Sequence, residues 1–155
     1  NNPLNSNTMS KSVSRLTNLL LSSNGSDIAL LLLRIFVGIM MLTHGVAKIE
    51  NFSALKANFP DPVGLGAGFS LLLITCAEVG CSLLVIVGLV TRLAVIPLIV
   101  GMCVAAFLTF PGFTMAASEL ALLYLSIYIT LLIAGPGEYS LDELLRMTLR
   151  RKNSN

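Results

Sequence analysis

The residues of this sequence that could do chemistry are the few ionisable side chains inside its long apolar runs. They are Arg34, His44, Lys48, Glu78 and Glu119. A charge at the centre of a membrane helix costs roughly 2.5 to 3.5 kcal/mol on insertion scales, so each charge needs a partner or a function. A carboxylate beside an imidazole can exchange protons or hold a polar head group. The same residues can instead form interhelical ion pairs that only fix the register of a bundle, and both interpretations stay open.

The spacing of these residues predicts that they share one interior. At 100° per residue, Arg34, His44 and Lys48 lie within about 80° of one another on a helical wheel, so one face can present all three. Glu78 lies near the middle of the second apolar run, at a depth between those of Arg34 and His44. We therefore predict that Glu78 either faces inward toward Arg34 or His44 of the first helix or remains protonated. Glu119 opens the fourth run near the depth expected for His44.

Cysteine and metal chemistry find little support in the sequence. Cys76, Cys81 and Cys103 all lie in apolar runs, without a Cys-x-x-Cys motif or a Cys/His ligand spacing. We expect no metal site and no thiol-redox pair. The single His cannot supply bis-His ligation to a haem.

The composition predicts a membrane protein. The 155 residues are 55% hydrophobic and only 12% charged, with a mean hydropathy of +0.84, whereas soluble domains carry roughly 25% charged residues. The net charge of +2 is small and forms no basic stripe, so nucleic acid is not an expected partner. The expected partner is the lipid bilayer.

Four apolar runs predict an all-α, integral membrane four-helix bundle, since backbone polar groups in lipid must be satisfied within the segment. The predicted spans cover about residues 28–47, 69–90, 93–110 and 117–134, within a domain over 27–137. A polar tail over residues 1–26 precedes this domain. Residues 138–155 are predicted to form an amphipathic helix and a basic tail on the membrane surface.

The end of the fourth span carries its own structural motif. Gly135, Pro136 and Gly137 stop the helix. Ser140, with an acidic residue three positions later, fits a capping box that starts the next helix, and Asp142 lies in its first turn.

The basic residues predict the orientation of the bundle. Lys and Arg are concentrated on the side of the two termini, so the positive-inside rule places both termini in the cytoplasm and the loop over about 48–68 outside. The two sets compared are Lys11, Arg15, Arg92, Arg146, Arg150, Arg151 and Lys152 on the terminal side, and Lys48 and Lys56 opposite.

From about Leu33 to Leu145 the chain resembles the DoxX family of small four-helix membrane proteins. Single pieces of the match are short, but their order and spacing across most of the chain are specific. The pieces are Arg34, His44-Gly45, Lys48, Glu78, Gly88-Leu89-Val90-Thr91-Arg92, Glu119-Leu120-Ala121-Leu122-Leu123 and Gly135-Pro136-Gly137-Glu138-Tyr139-Ser140-Leu141-Asp142.

The resemblance implies a multi-pass protein of the bacterial cytoplasmic (inner) membrane, grouped with components of thiosulfate:quinone oxidoreductases and of complexes that handle oxidative stress. It implies an accessory or quinone-contacting subunit of a membrane oxidoreductase system, with quinone as the expected cofactor and redox subunits as partners. Whether the chain is itself an enzyme, and whether it forms a homo-oligomer, stay open. The alternatives are a non-enzymatic membrane assembly or scaffold protein and, with less support, a small transporter.

Overall fold

The computed structural model describes residues 23–61, 64–108 and 115–153, and this part of the chain is helical without a strand. The helices are α1 (Ser23–Glu50), α2 (Phe52–Leu55), α3 (Ala67–Cys76), a π-helical turn (Ala77–Cys81), α4 (Ser82–Val87), α5 (Thr91–Phe107), α6 (Met115–Ala134) and α7 (Leu141–Asn153). The predicted all-α membrane fold is confirmed. The predicted tail over residues 1–26 lies mostly outside the described residues.

The four predicted spans correspond to four apolar helical segments. In the described part, Gly25–Glu50 and Ala67–Val87 are long and apolar enough to cross a bilayer, and Thr91–Phe107 and Ser118–Ala134 are shorter apolar helices. Seventeen residues rise about 25 Å, which is the lower limit for a span. The helix α1 continues past the predicted end at residue 47, so Lys48 belongs to the helix.

The helices pack as two antiparallel pairs around one core. The helix α1 runs along α4 and the π-helical turn, and α5 runs along α6. The contact centre is apolar and fully shielded, with Val37, Met41, Val85, Leu98 and Leu131 at 0 to 1% exposure. Large apolar side chains such as Phe36 and Ile133 are instead 66% and 74% exposed. Exposed apolar surface over a core with buried charges is the arrangement that lipid favours.

Arg34 ties the bundle to the turn between α6 and α7. Its guanidinium donates hydrogen bonds to the carbonyl oxygens of Pro136 and Tyr139. Asp27, near the start of α1, accepts a hydrogen bond of 2.9 Å from the amide of Glu138 in the same turn. The predicted stop motif therefore also closes one end of the bundle, which we call the Arg34 end.

Asp142 connects the same turn to α5. Its carboxylate accepts hydrogen bonds from the amides of Val90 (2.6 Å), the N-cap residue of α5, and of Thr91 (3.0 Å), the first residue of that helix. Ser140 Oγ accepts a hydrogen bond of 3.2 Å from the Glu143 amide, as the predicted capping box requires. The helix that follows exposes Leu144 and Leu149 at 54% and 63%.

At Gly88 there is no room for a side chain, because Arg34 and Ser140 pack against its backbone at the Arg34 end. Its φ is +72°, and a Cβ there would lie 2.8 Å from both Arg34 Cζ and Ser140 Cβ. We expect Gly88→Ala to lower the free energy of unfolding by about 2 kcal/mol, because left-handed backbone strain adds to displacement of Arg34. Gly64 has a φ of +73° with nothing within 4 Å. Gly64→Ala is the matched control and should cost about 1 kcal/mol. If reversible unfolding gave the same loss of unfolding free energy for Gly88→Ala and Gly64→Ala, the proposed closure would be contradicted.

Asp61 organises the loop at the opposite end, before α3. Its carboxylate accepts hydrogen bonds from Ser70 Oγ (2.7 Å), Gly66 N (2.6 Å) and Leu65 N (3.0 Å). The hydrogen bond from Ser70, followed by those from the backbone amides, lowers the pKa of Asp61. The ionised form is therefore the one that holds this loop in place.

This loop should consequently loosen in acid. A lowered folded-state pKa gives stability that is complete above the unfolded value near 3.8 and is lost as the pH falls through the folded value. We expect protease cleavage between Phe59 and Ala67 to increase as the pH drops below about 4. Asp61→Asn should be cleaved rapidly at every pH. A wild-type cleavage rate that is independent of pH would exclude this role for Asp61.

Candidate functional site

An ion pair between α1 and the π-helical turn forms the centre of the site. Lys48 Nζ lies 2.7 Å from Glu78 Oε2 and 2.9 Å from Glu78 Oε1, so both carboxylate oxygens accept from one ammonium group. Glu78 is 3% exposed as a residue, whereas the Lys48 side chain is 22% exposed. The carboxylate is thus confined to the interior, and the lysine reaches it from the edge.

Local backbone geometry brings the two residues together. Glu78 lies in the π-helical turn Ala77–Cys81, a feature that is frequent at functional sites. Opposite this turn lies Gly45, where a Cβ would be 2.6 Å from Val79 Cγ2 and 3.2 Å from the Val79 amide nitrogen. The absence of a side chain at Gly45 lets the two backbones approach. Lys48, about one turn further along α1, then reaches the carboxylate.

A cavity of about 580 Å³ opens beside the ion pair. Lys48, Glu78 and Ser70 provide its polar groups, and the rest of its lining is apolar. Small-molecule sites are of this size and kind, with a few placed polar groups in an apolar cleft. The apolar lining comes from the loop before α3, from α3, from the start of the π-helical turn and from α5. It consists of Phe59, Pro60, Leu65, Leu73, Ile74, Ala77, Ile96, Pro97, Val100, Gly101, Met102, Val104 and Ala105.

The cavity lies between α3 and α5, and its rim is on the apolar outer surface. Leu73, Ile96 and Val100 are 48%, 46% and 57% exposed at this rim. On the inner side, Ile74 reaches the bare backbone at Gly101, where a Cβ would be 2.5 Å from Ile74 Cδ1. The cavity therefore connects the surface that faces lipid with a buried ion pair.

Three aromatic side chains of α1 and α6 form a cluster. The His44 and Tyr124 rings meet edge to face with centroids 5.8 Å apart, and Tyr124 stacks on Tyr128 at 6.1 Å. Glu78 acts electrostatically on both phenols. Tyr128 is fully buried. The aromatic cluster thus joins His44 on α1 to two tyrosines of α6.

The structure brings together only part of the predicted polar site. Lys48 and Glu78 touch, and His44 contacts the neighbouring Tyr124. Arg34 does not meet Glu78, because the register places its guanidinium beside Gly88 and the carbonyls of Pro136 and Tyr139 take its donors. The predicted partner of Glu78, Arg34 or His44, was wrong, and Lys48 takes that place.

Glu119 is also separate from the ion pair, because it is exposed on α6. The α6 residue that does face the site is Tyr124. Tyr124 is five positions after Glu119, so the two side chains point about 140° apart on the helix. Neither tyrosine was predicted as a site residue from the sequence. Their signal was the i, i+4 spacing of Tyr124 and Tyr128 in a helix that is otherwise almost wholly apolar.

Within residues 23–61, 64–108 and 115–153, no three His, Cys, Asp or Glu side chains gather in a way that would hold a metal ion. The three cysteines are free. Cys76 is exposed on α3, and Cys81 and Cys103 are partly buried.

Known proteins resemble this chain across most of its length. The DoxX family model matches residues 29–111, which is more than half of the chain. The chain is 32% identical over 130 residues to the uncharacterized membrane protein Rv3486 of Mycobacterium tuberculosis, covering 73% of this chain and 78% of that protein. It is 30% identical over 123 residues to the inner membrane protein YqjF of Escherichia coli K12, covering 77% of this chain and 93% of that protein. No solved structure matches. The family match, the two relatives and the apolar helices around a buried ion pair agree, and the chain belongs to the DoxX family of membrane proteins.

Proposed function

We propose that this protein binds the head group of an isoprenoid quinone at the Lys48–Glu78 pair and serves as an accessory, quinone-contacting subunit of a membrane oxidoreductase system. One observation carries the proposal: the cavity joins the apolar outer surface to an ion pair whose carboxylate is buried. A ligand that fits must be apolar along its length and polar at one end. Isoprenoid quinones have this form.

The side chains present fit the two redox forms of such a head group. The Lys48 ammonium can donate a hydrogen bond to a quinone carbonyl, and a Glu78 carboxylate oxygen can accept one from a quinol hydroxyl. When bound, the quinone would supply two-electron carrier chemistry to a redox-active partner subunit, and this chain would only hold the quinone. The residues of this chain orient the head group and exclude water, since the lining around the pair is apolar.

Quinone recovery tests the proposal. We expect isoprenoid quinone to co-purify with the wild-type protein in mild detergent and to be recovered by solvent extraction and mass spectrometry. Ala105→Leu, which fills the cavity away from the ion pair, should lose it. Ala47→Leu makes the same change at an exposed position of α1 and should retain it. Equal recovery from both variants would show that the quinone is carried by bulk lipid.

The competing proposal is an assembly or scaffold protein in which Lys48 and Glu78 only fix the helix register. The direct and specific contact between α1 and the π-helical turn favours it. Under this proposal, purified protein binds no quinone, and Ala105→Leu leaves the activity of a partner oxidoreductase complex unchanged. Under the quinone proposal, that activity falls while the complex still assembles.

We further propose that all four apolar segments cross the bacterial inner membrane, with α7 at the cytoplasmic surface. In a variant without the native cysteines, a cysteine at the exposed position Ser53 should react with a membrane-impermeant maleimide in intact spheroplasts. A cysteine at Arg150, exposed on α7, should react only after permeabilisation. If the cysteine at Arg150 reacted in intact spheroplasts and the cysteine at Ser53 reacted only after permeabilisation, the proposed orientation would be contradicted.

A further inference from the structure

A second cavity, of about 570 Å³, lies at the Arg34 end of the bundle. Its lining comes from the starts of α1 and α5, from the turn between α6 and α7, and from the first turns of α7. The two cavities share no described lining residue, so a ligand of this one can be tested independently of the Lys48–Glu78 pair.

This cavity opens at the level where two apolar segments end. The helix α5 begins at Thr91, and α6 ends at Ala134. Val90 and Leu93 line the cavity and are 49% and 65% exposed, so apolar surface leads directly up to its polar part. In a bilayer, the ends of apolar helices lie where hydrocarbon gives way to lipid head groups. A phospholipid could therefore place its head group in the cavity and its acyl chains along the apolar surface.

The charges of the lining disfavour a purely anionic ligand, because carboxylates outnumber guanidinium groups by two to one. The charged residues are Arg92 and Arg146, against Asp27, Glu138, Asp142 and Glu143. Like charges repel, so a ligand that brings only negative charge would meet an excess of negative charge. A ligand that also carries a positive charge fits this lining better.

Three of the four carboxylates already have partners within the protein. Asp27 accepts from the Glu138 amide, and Asp142 accepts from two amides at the start of α5. Glu143 pairs with Arg146 at 3.1 Å. The Glu138 carboxylate, by contrast, has no hydrogen bond or ion pair among the residues that the structure describes. It is thus the carboxylate left for a ligand cation.

Arg92 is the matching cation. It donates one hydrogen bond, of 3.2 Å, to the Ile133 carbonyl, which leaves most of the five N–H donors of a guanidinium available. Its side chain packs against the turn: a Cβ at Gly135 would lie 3.2 Å from Arg92 Nη2 and 3.3 Å from Nε. Glu138 follows Gly135 by three positions, so their backbones are at most about 11 Å apart. One cavity therefore presents a cation and a carboxylate at short range.

We propose that this cavity binds a phospholipid whose head group carries both a phosphate and a primary ammonium, as in phosphatidylethanolamine. The Arg92 guanidinium donates to the phosphate, because its planar fork matches phosphate oxygens. The Glu138 carboxylate accepts from the ammonium group, which has three N–H donors. Phosphatidylcholine lacks an N–H donor and phosphatidylglycerol lacks a cation, so both should bind more weakly.

A series of head groups tests the proposal in the wild-type protein. Delipidated protein in mild detergent is mixed with phosphatidylethanolamine, phosphatidylcholine or phosphatidylglycerol of identical acyl chains, and native mass spectrometry measures the bound lipid. We expect phosphatidylethanolamine to bind at least about tenfold more tightly than the other two, the difference expected for one charge-assisted hydrogen bond. Equal binding of the three lipids, or a preference for phosphatidylglycerol, would overturn the proposal.

Two substitutions assign the parts of the head group to their residues. Glu138→Gln should lower the affinity for phosphatidylethanolamine to that for phosphatidylcholine, and Arg92→Gln should weaken the binding of all three lipids. Glu50→Gln and Arg150→Gln change exposed charges outside the cavity and should bind like wild type. A Glu138→Gln protein that still prefers phosphatidylethanolamine would overturn the proposed pairing.

The soluble head group distinguishes a lipid site from a site for a free phosphoester. Glycerophosphoethanolamine has the same charged groups without acyl chains. At a concentration equal to that of the lipid it should not displace phosphatidylethanolamine, because it lacks apolar contact with Val90 and Leu93. Displacement at equal concentration would assign the cavity to a soluble ligand and overturn the lipid proposal.

Discussion

Lys48→Met is expected to lower the free energy of unfolding by about 4 kcal/mol, because it leaves the Glu78 carboxylate buried without its partner. Glu78 is 3% exposed and accepts from Lys48 through both oxygens, whereas the Lys48 side chain is 22% exposed. Glu78→Gln should therefore cost less, about 2 kcal/mol, since the lysine can turn its ammonium group toward water. The asymmetry follows from the unequal burial of the two partners.

A double-mutant cycle in reversible unfolding measures the coupling. Lys48→Met combined with Glu78→Gln should be less destabilised than the sum of the single changes, with a coupling of about 2 kcal/mol. The i,i+3 pair Arg146–Glu143 on α7, with side chains 60% and 23% exposed, is the internal control. Breaking this pair by Glu143→Gln should change the free energy of unfolding by no more than about 0.5 kcal/mol. Additive losses at Lys48 and Glu78 would mean that the two residues act independently.

Arg34→Met is expected to destabilise the protein by about 3 kcal/mol and to open the turn between α6 and α7. The guanidinium is 1% exposed and donates to two carbonyl oxygens of that turn. Removing it leaves both carbonyls without a donor. Arg34→Lys should recover only part of the loss, because an ammonium group lacks the planar fork that reaches two acceptors at once.

Unfolding measurements, together with protease cleavage after Tyr139, report this effect. Arg92→Met provides the matched control, since Arg92 is exposed and donates a single bond of 3.2 Å to the Ile133 carbonyl. Its stability should stay close to that of wild type. An Arg34→Met protein that unfolds like wild type and resists cleavage would remove Arg34 from the closure of the bundle.

The fold class was predictable because lipid imposes it. Apolar runs of about 20 residues have few folded alternatives in a bilayer, and the glycines and proline at 135–137 ended the fourth span where expected. The helical wheel also placed Lys48 on the inner face of α1 correctly. What it could not provide was the register between helices, which depends on the close approach at Gly45 and on the fit of Arg34 beside Gly88.

The partner of Glu78 was mispredicted for the same reason. Depth was estimated from predicted helix ends, but the π-helical turn at Ala77–Cys81 changes the direction and depth of Glu78. The cavity could not be predicted at all, because it is a gap between α3 and α5 and depends on how closely these two helices approach. Glu119 was expected inside because of its depth, although its direction on α6 places it on the exposed surface.

The most direct measurement of the central claim is an equilibrium titration of purified protein in nanodiscs with a short-chain ubiquinone. Wild type should bind in a saturable manner with one site per chain. Lys48→Gln, which keeps a donor but removes the charge, should bind at least about tenfold more weakly, the loss expected for one charge-assisted hydrogen bond. Ala105→Leu should show no saturable binding, and Ala47→Leu should bind like wild type. Saturable binding that is equal in all four proteins, or absent from wild type, would contradict a quinone site at the Lys48–Glu78 pair.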